Sequence, residues 1–99
     1  GDAVILTDRD HLVMFMNPSA ESLTGKNLYD VRCRPLMSIL KLEGESIGTF
    51  SHALSDVMDG KRSWESKGHC RLLRHDGKTQ YVEISCAPIK IDAGAMGLV

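Results

Sequence analysis

A charge of one sign is the first thing this sequence lacks. Its 99 residues carry 12 lysines and arginines against 13 aspartates and glutamates, a formal net charge of −1 with the signs mixed along the chain. Such a balance leaves no electrostatic footprint for nucleic acid or for an anionic membrane surface, so neither is expected as a partner. No apolar run approaches the roughly 20 residues that span a membrane, and no signal peptide is visible in these residues. The location expected on these grounds is cytoplasmic. Cysteine is scarce: Cys33, Cys70 and Cys86 form no CxxC pair and join no histidine cluster. They read as reduced packing thiols. No two histidines have ligand spacing, so no metal site is expected. Glycine-rich phosphate loops are missing too. Ser51 and His52 are neighbours on one helix and cannot face each other as nucleophile and base. Glu43 and Glu45 have no cation or histidine spaced to work with them. The chain is not expected to be an enzyme.

What is present is alternation. Trp64 to Ile89 reads as two long strands folded back at His75-Asp76-Gly77-Lys78, since Asp-Gly between alternating runs supplies the positive φ of a hairpin turn. Val82, Ile84 and Cys86 alternate with Tyr81, Glu83 and Ser85, and Cys70 and Leu72 alternate with His69 and Arg71. This period of two gives one apolar and one mostly polar face. Pro88, with no N–H to donate, ends the ladder.

Earlier in the chain, Ala3–Thr7 and Leu12–Met16 read as strands around the polar turn Asp8–His11. Asn17-Pro18 starts a short helix, Asn as N-cap and Pro at the first helical position, and Gly25 closes it. Leu28–Val31 and Leu36–Leu40 can each make a turn, separated by Pro35. Apolar residues at 47, 50, 54, 57 and 58 fall at helical spacing up to Gly60. A last strand, Ala95–Val99, follows a turn at Asp92-Ala93-Gly94. The order ββ, short helices, βββ predicts an α+β fold, one antiparallel sheet of five strands with the helices packed on one face.

Several of these residues carry a family pattern. Asp2–Asp8, Asn17-Pro18-Ser19-Ala20-Glu21 and Leu23-Thr24-Gly25 resemble the opening of PAS domains. Arg74-His75-Asp76-Gly77, Val82-Glu83, Ala87-Pro88-Ile89 and the closing Gly97-Leu98-Val99 resemble their second half. The resemblance runs in order over nearly the whole chain, so residues 1–99 are expected to be a single PAS domain taken from a longer multidomain protein. It implies the same five-stranded sheet with flanking helices. It also implies a non-catalytic sensory module that regulates an attached effector, as in bacterial histidine kinases, diguanylate cyclases, phosphodiesterases and transcription regulators. The fold alone assigns no ligand.

Two cofactors known in the family can be tested by register. For flavin, Cys33-Arg34 is the inviting pair, but counting from Leu23-Thr24-Gly25 puts the family's photoactive cysteine near Leu36. The positions that offer amides to the flavin ring match Leu72 and Val82, and the final-strand Gln matches Val99. A flavin there would leave buried polar groups unpaired at about 1–3 kcal/mol each. For haem, His52 is on the long helix, yet the ligand position falls nearer Thr49 and His52 lies opposite the apolar stripe. Neither haem nor flavin is expected.

The interior is expected to be lined by Ile5, Thr7, Val13, Phe15, Leu72, Val82, Ile84 and Cys86 from the strands. Phe50, Leu54 and Val57 come from the long helix, and Leu36 and Ile39 from the short ones. Two readings stay open. These residues form a filled core, or they enclose a small cavity for an apolar metabolite with Thr7 and Cys86 as its polar contacts. Met14, Met16, Met37, Met58 and Met96 would let such an interior adapt. On the opposite sheet face, Tyr81, Leu73 and Ala87 suggest an apolar patch suited to a homodimer or to a helix preceding the first strand. A ligand-free dimerisation module is the alternative function.

Overall fold

The computed structural model describes residues 2–44, 46–60, 62–66, 68–89 and 96–98. Glu45, the turn at Asp92-Ala93-Gly94 and Val99 lie outside the described residues, as does the side chain of Ile47. The chain opens with β1 (Ile5–Thr7) and β2 (Val13–Met16). Asp8 shapes the turn between them: its carboxylate accepts the N–H groups of Asp10 and Leu12, each at 2.9 Å. Four helices follow, α1 (Pro18–Thr24), α2 (Leu28–Val31), α3 (Leu36–Ile39) and α4 (Ser46–Gly60). The remaining strands are β3 (Trp64–Glu65), β4 (Cys70–Leu73), β5 (Thr79–Val82), β6 (Ser85–Pro88) and β7 (Met96–Leu98).

Local chemistry sets both ends of α1. The Asn17 Oδ1 accepts the Ala20 N–H at 2.9 Å as an N-cap, and it also accepts the Val4 N–H at 2.9 Å. Its Nδ2 donates to the Asp2 carbonyl at 2.8 Å. One side chain therefore starts the helix and ties it to the strand before. Gly25 ends the helix at φ +70°, a left-handed conformation that favours glycine. Glu21 then accepts the Leu28 N–H at 2.8 Å and so positions α2.

Five strands form one antiparallel sheet in the order β2-β1-β7-β6-β3. The long hairpin read from the sequence is present but broken in two. Trp64 and Glu65 pair with Cys86 and Ser85, whereas Cys70 to Leu73 pair with Val82 back to Thr79. Residues 66–69 are longer than the opposing 83–84, and the excess is taken up around Gly68, at φ +82°. Ser66 staples the bulge: its N–H donates to the Ile84 carbonyl at 2.8 Å and its Oγ accepts the Ile84 N–H at 3.0 Å. Beyond it, β4 and β5 leave the main sheet as a separate pair. Residues 41–43 run beside β4, with Leu73 N–H donating to the Lys41 carbonyl at 2.7 Å and Glu43 N–H to the Arg71 carbonyl at 2.9 Å.

The helices cover one sheet face. Phe50, Leu54 and Val57 of α4 join Leu36 and Ile39 of α3 in a core with Ile5, Val13, Ile84 and Cys86 of the sheet. Phe50, Leu36 and Val13 are wholly buried. Burying such a side chain contributes on the order of 1.5–3 kcal/mol. Ser51, His52, Ser55 and Asp56 occupy the opposite, exposed side of α4, as the helical period requires.

One strand residue departs from the expected alternation. Val13 is buried, Phe15 is 42% exposed and Met16 is buried. The cause is a bulge in β2. Ile5 and Leu6 pair with Met16 and Phe15, but Thr7 pairs with Val13, which leaves Met14 without a partner. The extra residue shifts the phase of the strand, so Phe15 turns to the outer face and Met16 turns inward.

Candidate functional site

Among the described residues lies a cleft of about 690 Å³, open to solvent along one side. Its walls come from three places. The segment entering β1 supplies Asp2, Ala3 and Ile5; α1 supplies Ser19, Ser22 and Leu23; the β4–β5 pair and the turn into β6 supply the rest, over a floor of Leu40 and Leu72. Of the interior residues expected from the sequence, Ile5, Leu72, Val82 and Ile84 line this cleft. Thr7, Val13, Leu36, Ile39, Phe50, Leu54, Val57 and Cys86 are buried in the core and do not border it. Phe15 lies outside altogether, for the reason given above.

The polar groups of the cleft were not among the residues anticipated. Arg74 donates from Nη1 to the Gln80 Oε1 at 2.8 Å, and its Nε stands 3.6 Å from an Asp76 carboxylate oxygen. His69 and Glu83 approach to 3.6 Å near the other end, both well exposed. A polar contact so open to water contributes little. Outside the cleft, Gly25 lies against the His75 ring, so closely that a Cβ there would overlap it. The tip of the β4–β5 pair thus rests on the C-terminal cap of α1. No periodicity could have revealed this cleft, since its walls lie some fifty residues apart in the sequence.

Burial pushes the Cys86 thiol up to about 12 from its ordinary 9.0. It stays neutral near pH 7 and is a packing group, not a nucleophile. Ser51 and His52 are exposed neighbours on α4, and Thr49 is exposed as well. Glu43 accepts the Thr79 hydroxyl at 2.9 Å, which fastens residues 41–43 to the β4–β5 pair. Among the described residues no group of three acidic, histidine or cysteine side chains could hold a metal ion. No described helix is long and apolar enough to cross a membrane.

The outer sheet face carries a second feature. Phe15 pairs with Leu6, Leu6 with Gly97 and Gly97 with Ala87, a row that crosses four strands. Leu73 and Tyr81, at 40% and 64% exposure, continue the apolar character onto the β4–β5 pair. The sequence singled out Tyr81, Leu73 and Ala87; the bulge adds Phe15.

A five-stranded antiparallel sheet in this order, with short helices on one face, defines an α+β sensory-domain architecture. The family comparison makes it specific: the model for the PAS domain matches residues 1–99, and the chain belongs to that family. As such it is a module of sensory signalling. It is similar to the PAS domain of a protein from Colwellia psychrerythraea, at 26% identity and a TM-score of 0.73, over 97% of this chain and 81% of that one. It is similar in fold to the PAS domain of nitrogen regulation protein NR(II) from Vibrio parahaemolyticus, at 18% identity and a TM-score of 0.70, over 97% and 83% of the two chains. The LOV domain of a blue-light activated histidine kinase from Erythrobacter litoralis matches at 17% identity and a TM-score of 0.74, over 97% and 90%. No curated protein sequence matches the chain.

Proposed function

We propose that this PAS domain is a non-catalytic module of a longer cytoplasmic signalling protein and that it controls an attached effector through contacts of its outer sheet face. The working form is a homodimer. The observation that carries this reading is the row Phe15–Leu6–Gly97–Ala87, with Phe15 42% exposed on a sheet whose other face is already covered by helices. Exposed apolar side chains gathered on one face are a common mark of a protein contact. A shift between two arrangements of the sheet would then pass to the effector, be it a histidine kinase, a diguanylate cyclase or a transcription regulator.

A metabolite enclosed in the core has less support. Thr7 and Cys86, its expected polar contacts, are packed at 2% exposure and do not border the 690 Å³ cleft. Native mass spectrometry separates the two readings. A dimer that is lost in Phe15→Glu, with the thermal midpoint of the variant unchanged within about 0.5 kcal/mol of stability, is the expected result. A monomer carrying extra mass that disappears on denaturation would overturn it.

A further inference from the structure

We infer that the two copies of the proposed homodimer are related by a two-fold axis that lies between their sheets and runs along the strands, midway between β1 and β7. Phe15 of each copy then packs on the partner's Ala87, and Leu6 on the partner's Gly97. This rests on the dimer reading and adds to it which residues meet.

The outer row is graded in size. Phe15, Leu6, Gly97 and Ala87 stand opposite one another on four neighbouring strands. Residues directly opposite share a face. Leu6 lies between the buried Ile5 and Thr7, and Ala87 follows the buried Cys86, so that face is the outer one. Its β2–β1 half carries two large side chains. Its β7–β6 half carries a methyl group at Ala87 and, at Gly97, no side chain at all.

A closed pair of identical copies makes every contact twice, residue i on j and j on i. Two axes in the plane of the interface lay the row on its copy. An axis along the row sets each residue against itself, Phe15 on Phe15 and Gly97 on Gly97. Stacked sheets lie about 10 Å apart, so the first contact is overfilled and the second leaves a void. Both weaken packing. An axis along the strands reverses the strand order instead, β2 over β6 and β1 over β7. Every contact then sets a large side chain on a small one, the arrangement in which facing layers interdigitate.

The size of the face makes the choice decisive. Five strands of the main sheet span about 24 Å, and four residues along them about 13 Å. That is well short of the roughly 800 Å² per partner of a standard interface. So small a face has little area elsewhere to offset a void or an overlap at its centre.

The first test uses the wild-type chain at the high concentrations of NMR. In dimers of one isotope-labelled and one unlabelled copy, isotope-filtered spectra report only proton contacts between copies. Contacts from the Phe15 ring to the Ala87 methyl group are expected. Within one copy these residues stand three strands, about 14 Å, apart, too far for such a signal. Contacts from Phe15 to the partner's Phe15 would overturn the inference and leave the dimer standing. A chain that stays monomeric, or a dimer without contacts from Phe15, would overturn both. The second test is the swap Phe15→Ala with Ala87→Phe, made in an isotope-labelled chain because the swap conserves mass. Alone, the variant should dimerise like the wild type. Mixed with the wild type, it should form about tenfold fewer mixed dimers than random pairing gives, since these set Phe on Phe and Ala on Ala. Native mass spectrometry counts them. Random or preferred mixing would overturn the inference, because an axis along the row favours the mixed pair.

Discussion

Cys86 illustrates how burial decides the chemistry of a single side chain. It sits opposite Leu98 on one side and Trp64 on the other, and desolvation raises its thiol pKa to about 12. Because the folded value lies above the ordinary 9.0, stability on this account is constant below about pH 9. It falls as pH rises from 9 toward 12, where the unfolded thiol ionises and the folded one does not, by about 1.4 kcal/mol per pH unit. Alkylation at pH 8 should modify the exposed Cys33 within minutes and leave Cys86 untouched until the chain unfolds; peptide mass mapping checks this. Phe15 teaches the opposite lesson at the same scale. Alternation placed it inside, and one unpaired residue, Met14, turned it out. A bulge alters no residue type, so a reading built on period two cannot see it.

At the scale of elements, the legible parts were those with local causes. Asn17-Pro18 and Gly25 mark the ends of α1 by capping chemistry confined to a few residues, and the structure has both. The α4 stripe and the β5–β6 alternation are equally local. What sequence did not disclose is that Asn17 has a second task, holding Val4 and Asp2. Asn17→Ala should therefore cost more than an ordinary N-cap, toward the upper end of the 0.5–2 kcal/mol range. Asn27→Ala, which loses only the bond to Asp30 at 3.0 Å, should cost less. Thermal unfolding of the two variants, at about 4–8 °C per kcal/mol for a domain of this size, gives the comparison directly.

The whole molecule adds contacts that no single element contains. The five-stranded sheet could be read in outline, because strands at both ends of the chain must meet. The cleft could not, since Arg74, Gln80 and α1 come together only when the β4–β5 pair folds back across the helix. His75 against Gly25 is the seam of that closure. Gly25→Ala should destabilise by about 1–2 kcal/mol from its left-handed backbone alone, and more through the overlap with His75. In a double-mutant cycle, adding His75→Ala should return the second part and not the first.

Asn17 also bears on the order of assembly. The bonds it makes to Asp2 and Val4 close loops of 15 and 13 residues, whereas Ile5 meets Leu98 only across nearly the full chain. Chain entropy favours the shorter closure. The opening hairpin and α1 thus form one locally closed unit and β6 with β7 another, its pairs running from Pro88↔Met96 to Cys86↔Leu98, and the β1–β7 ladder is the long closure that joins the two.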